Sequence, residues 1–328
     1  MAGNKNLNSA ARAKKDKFYT QMNDIAEELD HYMEFFRGKK ILCNCDDPFE
    51  SKFFQYFAQN FNGFALKKLV ATSYADYKTA YKIEINDRNV ERVEDLQDIK
   101  LALRKGIVKT TALEGDEKCC AGDFRSKECI ELLKDADVVV TNPPFSLFRE
   151  YVAQLVEYDK KFIIVGNMNA ITYREIFPLI KDNKIWLGYG FNGNPHFKVP
   201  KDYEKKSTRF WIDERGQHWR SLGNLHWFTN VETKKRRWDL PLYETYTPEK
   251  FPRYDTCDAI EVSKTAHIPC DYFGVMGVPI TFLDKYNPNQ FEIVGKIDTG
   301  KIDEYNIANP IINGKLIYKR IAIRRLRA

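Results

Sequence analysis

The sequence is short of the residues that most enzymes use to shuttle protons or hold metals. His31, His196, His218, His226 and His267 are the only histidines in 328 residues. None lies in an HExxH string or in the HxE plus CxxC pair of a zinc deaminase. The seven cysteines, Cys43, Cys45, Cys119, Cys120, Cys129, Cys257 and Cys270, include no CxxC pair. An odd count without a secretory leader points to reduced thiols, and no metal site is expected. Long apolar runs are also lacking. Phe162–Val165 is among the longest, far below the roughly 20 residues of a membrane-spanning helix. The opening MAGNKNLNSAARAKKDKFYT is polar and basic with no apolar stretch, unlike a secretory signal, so the cytoplasm is the expected address. Internal repeats and low-complexity tracts are missing as well.

What is present is an ordinary globular composition, 43% hydrophobic and 30% charged, with a mild net charge of +6. The basic residues cluster late. Lys234, Lys235, Arg236 and Arg237 form a block, and Lys319, Arg320, Arg324, Arg325 and Arg327 load the C-terminal end. Such clusters suit contact with phosphates, and a solvated charged face suits them equally.

Periodicity gives an α/β reading. Ile25, Leu29, Tyr32, Met33 and Phe36 recur at helical spacing over about 18–37. KKILCNC, residues 39–45, is a short buried-strand pattern that stops at Asp46-Asp47-Pro48. A helix over 49–61 and a strand over 65–72 complete a βαβ unit, the signature of a doubly wound, Rossmann-like sheet. Residues 75–121 fit as an elaboration, with strand over 81–85 and helix over 93–103. Helices over 126–134, 147–158 and 173–180 then alternate with strands over 137–140, 161–166 and 184–188. Another strand is expected over 225–231. The remainder, rich in turn signals, is expected to be a separate, loop-rich region, giving a catalytic domain over 1–230 and a second region over 231–328.

The sharpest local signal is Thr141-Asn142-Pro143-Pro144-Phe145, directly after the apolar DVVV. In open α/β sheets ligands bind beyond the carboxyl ends of strands. Two consecutive prolines end the ladder and stiffen the backbone. They present two fixed acceptors, the Asn142 amide oxygen and the Pro143 carbonyl, to one amino group with two hydrogens. An aromatic amine is a poor nucleophile because its lone pair is delocalised into the ring. Holding both N–H groups out of the ring plane localises that pair, and preorganised dipoles of this kind act best where water is excluded. Phe145 is placed to stack on the base.

Asn-Pro-Pro-Phe after a hydrophobic strand resembles the catalytic motif of the amino-group methyltransferases. Lys17-Phe18-Tyr19-Thr20-Gln21 resembles that superfamily's N-terminal motif beside the cofactor's methionine end. Asp46-Asp47-Pro48 stands where its first strand meets S-adenosylmethionine. Gly122-Asp123-Phe124 resembles the motif that holds the cofactor's adenine. FYTQ, CNCDDP, GDFRS, TNPPFSLF, NKIWLG and GVMGVPITFL, in this order, resemble the EcoRI-type adenine-specific DNA methyltransferases over essentially the whole chain. The resemblance implies Asn142, Pro143, Pro144 and Phe145 as catalytic residues. It implies Tyr19, Thr20, Asn44, Asp46, Asp47, Asp123, Phe124 and Asn142 as contacts to S-adenosylmethionine. It further implies methylation of the N6 amine of adenine in double-stranded DNA by base flipping, within a restriction–modification setting. A monomer with a cognate endonuclease as partner is expected. The 190–220 insertion, with Phe197 packing on the flipped base, and Lys234–Arg237 on phosphates would form the DNA-facing surface.

Two departures stand out. The first loop, DDPFESKF, has no glycine, and the acidic residue expected after the second strand, for ribose hydroxyls, is missing; Ser73 and Asp76 are the nearest polar candidates. Methylation of RNA or of a protein glutamine, or a silent nucleic-acid-binding fold, remain alternatives on these residues alone.

Overall fold

The computed structural model describes residues 19–45, 47–74, 80–86, 99–104, 108–116, 119–199, 201, 203 and 209–327. Lys17, Phe18, Asp46 and Asp76 lie outside the described residues, and with them the expected cofactor contact at Asp46. The chain divides into two compact units, 1–167 with 190–231, and 168–189 with 232–328.

In the first unit, β1 (Lys40–Cys43), β2 (Lys68–Thr72), β5 (Val138–Thr141) and β6 (Lys161–Asn167) are parallel neighbours in the order β2-β1-β5-β6. Their apolar residues are buried nearly without interruption, as strands covered on both faces require. Antiparallel strands extend this core on both sides. β3 (Ala80–Asn86) and β4 (Thr110–Leu113) follow β2, while Leu225–Thr229 pairs with β6. The expected elaboration after the second strand is thus, in its described part, an antiparallel extension of the sheet.

Helices join the parallel strands. Lys52–Gln59 starts at Ser51, whose hydroxyl accepts from Phe54 N at 3.4 Å. Lys127–Asp135 starts at Ser126, whose hydroxyl accepts from Cys129 N at 3.3 Å. Each is an N-cap that satisfies a donor the helix itself leaves open. The helix expected over 18–37 is broken into Met22–Leu29, a 3-10 turn at Asp30–Tyr32, and Met33–Phe36. The turn keeps Leu29, Tyr32 and Phe36 all buried. From β1 the chain crosses to β2 on one side, and from β5 to β6 on the other. The crevice where ligands settle in open α/β sheets therefore opens at the carboxyl ends of β1 and β5.

A small antiparallel sheet also belongs to this unit, with His218–Ser221 between His196–Lys198 and Phe210–Ile212.

The second unit departs from the loop-rich expectation. It carries a sheet of Ala259–Glu261, Val275–Val278, Arg320–Arg325, Phe291–Ile297 and Asn306–Ala308, in that order. Its strands are short or charged at their ends, which hides them from a hydrophobic pattern. Arg320, which reads as part of a basic tail, is buried at 9% exposure. Its Nε and Nη2 donate to Glu261 Oε1 at 3.0 and 2.6 Å, and Tyr254 donates its hydroxyl to Glu261 Oε2. Such a pair is tolerated in a core only because its hydrogen bonds are made. Arg324 pairs with Glu292, and Arg325 and Arg327 lie over the Phe273 ring.

Candidate active site

β5 delivers its last residues to the crevice end of the sheet, where Thr141 and Asn142 are both buried. The prolines stop the ladder there. Pro144 then offers its carbonyl to Leu147 N at 2.9 Å, closing a 3-10 turn that leads into the helix Phe148–Glu157. Asn142 is thereby fixed between a strand end and a tight turn. Its Nδ2 donates to Thr20 Oγ1 at 3.3 Å, across 122 residues of sequence. With the amide nitrogen on Thr20, the amide oxygen is turned to the opposite side, the orientation an acceptor for an amine needs. Thr20 is 2% exposed. Tyr19, next to it, bridges Lys198 of the small sheet, its N–H donating to the Lys198 carbonyl at 3.0 Å. Phe145 is half-buried.

The loop after β1 solves the absence of glycine by other means. Cys45 itself adopts the left-handed backbone, with φ of 72°, a conformation that costs a side-chain-bearing residue roughly 1–2 kcal/mol. On one side of it Asn44 is held twice. Thr141 donates its hydroxyl to the Asn44 carbonyl, and Tyr151 donates its hydroxyl to Asn44 Oδ1. On the other side Asp47 Oδ1 accepts from Phe49 N at 2.9 Å and from the Tyr81 hydroxyl at 2.7 Å. Asp47 is thus tied into the loop and to β3. Burial pushes the Tyr81 phenol above its ordinary pKa, and the hydrogen bond to Asp47 adds to that, so it remains a donor.

Gly122 explains how the third motif reaches the crevice. Its φ is +75°, and a Cβ there would stand 1.9 Å from the Ser73 carbonyl oxygen, so only glycine lets Asp123 and Phe124 close on the end of β2. Asp123 Oδ1 accepts from Arg125 N and Nε, both at 2.9 Å, and Oδ2 accepts from Nη2 at 2.8 Å. Since a carboxylate has about four lone-pair sites, one remains after these three bonds. Phe124 lies edge-on to Tyr151, ring centres 5.1 Å apart, and its carbonyl accepts from Gln154 Nε2 at 3.1 Å.

Tyr151 and Gln154 were not foreseen from sequence. They stand three apart on one face of the helix after the proline motif, and together they fasten the β1 loop and the Gly122–Phe124 motif. Burial first, then Cys45, pushes the Tyr151 phenol well above its ordinary pKa. Thr72 was missed as well. It is 1% exposed at the end of β2, and its hydroxyl has no hydrogen-bond partner among the described residues. Ser73, named from sequence, bonds instead to Tyr81, accepting from its N–H at 2.9 Å.

The remaining expected residues lie elsewhere. Phe197 is fully buried in the small sheet, edge-on to Phe191 at 6.3 Å. The basic block of the second unit divides in two. Lys235 Nζ donates to the carbonyls of Gly188 and Tyr189, at 2.9 and 3.0 Å, and pairs with Asp284. Arg236 lies 3.9 Å over the Trp186 ring and bonds Glu232 and Asn183. Lys234 and Arg237 are exposed. Among the described residues no group of three or more His, Cys, Asp and Glu side chains is arranged to hold a metal ion, and no helix is long and apolar enough to cross a membrane.

Three known proteins resemble the chain over nearly its full length. It is 47% identical to the Type II methyltransferase M.EcoRI of Escherichia coli, covering 99% of this chain and 98% of that protein. It is 35% identical to M.MpnI of Mycoplasma pneumoniae and 35% identical to M.MgeORF184P of Mycoplasma genitalium, each over 97% of this chain and 98% of the relative. No solved structure matches. The family model for the adenine-specific methyltransferase EcoRI matches residues 6–326, so the chain belongs to the EcoRI-type adenine-specific methyltransferases.

Proposed function

We propose that the protein transfers a methyl group from S-adenosylmethionine to the N6 amine of adenine in double-stranded DNA, as the modifying partner in a restriction–modification system. The observation that carries this reading is the convergence of Thr20, Asn44 and Asn142, far apart in sequence, at the carboxyl ends of β1 and β5. The relatives' designation as Type II methyltransferases supports DNA as the substrate.

The residues present fit S-adenosylmethionine. The Thr72 hydroxyl, without a partner among the described residues, is a polar group for the ribose where the expected acidic residue is missing. Gly122, whose missing side chain lets the backbone close on Ser73, brings Asp123 and Phe124 to the end of β2. Phe124 supplies an aromatic wall, and Asn44, steadied by Tyr151 and Thr141, supplies an oriented amide. When bound, the cofactor provides an activated methyl on a sulfonium.

The chain's own residues do the rest. Asn142 Oδ1 and the Pro143 carbonyl accept the two amine hydrogens and orient the nitrogen lone pair, while Phe145 stacks on the base. No strong base is required before attack, because the amine loses its proton after the new bond forms. In a paired adenine one N6 hydrogen is held by thymine and the nitrogen's lone pair points into the base stack, so the base must be rotated out, costing a few kcal/mol. The 190–220 insertion and residues 231–328 serve target recognition, and Lys234 and Arg237 contact phosphates, which fix register without reading sequence.

The test is expression in a host free of adenine methylation, followed by single-molecule sequencing. N6-methyladenine at one short sequence is expected. Unmodified DNA, or methylation at cytosine, would overturn the reading.

A further inference from the structure

The small sheet has two unlike faces. Alternation along its strands puts His218 and Arg220 on one face, opposite Ile212, Phe210 and Phe197. Trp211 and Trp219 share the other face, stacked at 12° with ring centres 6.4 Å apart. On the first face Arg220 Nε and Nη1 are buried with no hydrogen-bond partner among the described residues, and His218 Nδ1 is in the same state. Arg220 makes no ion pair among the described residues. Its guanidinium lies 5.5 Å over the Tyr203 ring, which stacks on Phe210 at 11°. Phe210 is in turn edge-on to His218 at 5.4 Å.

A ring under the guanidinium attracts its charge but leaves the in-plane N–H donors unsatisfied. Buried unpaired charge is costly, and unmade buried donors are rare enough in folded proteins to demand a reason. What completes such a group is a negatively charged ligand with oxygen acceptors in the guanidinium plane. The sheet is also tied through its backbone to the strand end that carries Asn142. The strand paired with Arg220 carries Lys198, which bridges Tyr19, and the next residue, Thr20, takes the Asn142 amide.

We propose that Arg220, with His218 beside it, forms an oxyanion site. Its ligand is a phosphodiester oxygen next to the target nucleotide or the carboxylate of the methyl donor. This rests on the reading of the protein as a DNA methyltransferase. A guanidinium seated over the Tyr203 ring holds one anion more rigidly than a mobile surface lysine does.

The test compares wild type, Arg220→Gln and Arg220→Lys. Each is titrated with a fluorescent duplex carrying the sequence that wild type methylates, over a range of salt, and separately with S-adenosylhomocysteine by calorimetry. With a phosphodiester as ligand, Arg220→Gln binds the duplex about tenfold more weakly, and its log–log salt slope is shallower by about 0.9, one contact's worth of released counterion. Its affinity for S-adenosylhomocysteine is unchanged. With the carboxylate as ligand, the S-adenosylhomocysteine affinity falls instead and the salt slope stays. Either result supports the site. In both cases the melting temperature of Arg220→Gln is equal to or above wild type, because buried donors without acceptors have been removed, and Arg220→Lys retains part of the affinity. Wild-type binding of both ligands by Arg220→Gln would overturn the proposal. So would a fall in melting temperature with both affinities lost together, the mark of a purely structural arginine. A wild-type protein that bound neither probe would overturn the functional reading itself, and this site with it, before any variant is made.

Discussion

The loops that follow β1 and β5 leave neighbouring parallel strands at the same end of the sheet, but they are made rigid in different ways. The β5 loop is stiff through its own covalent structure, two prolines and a turn closed on the Pro144 carbonyl. The β1 loop has one proline and owes its shape to hydrogen bonds from elsewhere. Tyr151 and Thr141 hold Asn44, Tyr81 holds Asp47, and Cys45 takes the backbone conformation usually left to glycine. A loop of the first kind depends on the residues within it. A loop of the second kind can be loosened from a helix or strand far away in sequence.

The largest effect belongs to the proline loop. Asn142→Ala removes one preorganised acceptor and is expected to lower methyl transfer by a factor of about 100–1,000, some 3–4 kcal/mol. Affinity for S-adenosylhomocysteine, read by calorimetry, should change little. A parallel loss of that affinity would erase the distinction between the loops.

Next comes Tyr151→Phe, a change made outside the β1 loop. It leaves Asn44 Oδ1 buried without its donor, a loss of about 1–3 kcal/mol in denaturant unfolding. S-adenosylhomocysteine binding should weaken more than turnover slows. If turnover fell as far as in Asn142→Ala with affinity intact, Tyr151 would act on the base rather than on the β1 loop.

The basic block carries the same contrast within four residues of the second unit. Arg236→Ala strips a guanidinium from Trp186, Asn183 and Glu232, so stability should fall by roughly 1.5–3 kcal/mol. Reversing Lys234 and Arg237 to Glu should leave thermal stability nearly unchanged while weakening binding to every DNA sequence and flattening its salt dependence. DNA binding unaltered at all salt concentrations would move the phosphate contacts elsewhere.

The smallest effect is expected at Cys45. Glycine there removes roughly 1–2 kcal/mol of left-handed strain but adds disorder to the unfolded chain of about 0.4–1 kcal/mol. Cys45→Gly should therefore be neutral or stabilising by up to about 1.6 kcal/mol in urea. A clear loss of stability would mean that the thiol, not the backbone, is what the position requires.

Thr141–Phe145 was legible because prolines write backbone shape directly into sequence. The parallel strands were legible because burial on both faces leaves unbroken apolar runs. Tyr151, Gln154 and Thr72 were not, since an ordinary tyrosine, glutamine or threonine acquires its meaning only when the fold brings partners to it. Lys235, Arg236 and Arg320 read as surface charge because a sequence does not reveal the Trp186 ring, the Asp284 carboxylate or the buried Glu261 that each one meets. The second unit's sheet was missed for a related reason. Arg320–Arg325 is the middle strand of that sheet, but its arginines disguise it as a tail.

The central claim is that Thr20, Asn44 and Asn142 frame one site for adenine N6 methylation. Its most direct test is to incubate the purified protein with duplex DNA and S-adenosylmethionine labelled on the methyl group, then digest the DNA and separate the nucleosides. The label should appear in N6-methyldeoxyadenosine for the wild type and be nearly absent for Asn142→Ala, although both bind S-adenosylhomocysteine. Label in any other nucleoside, or an Asn142→Ala protein that methylates adenine at the wild-type rate, would contradict it.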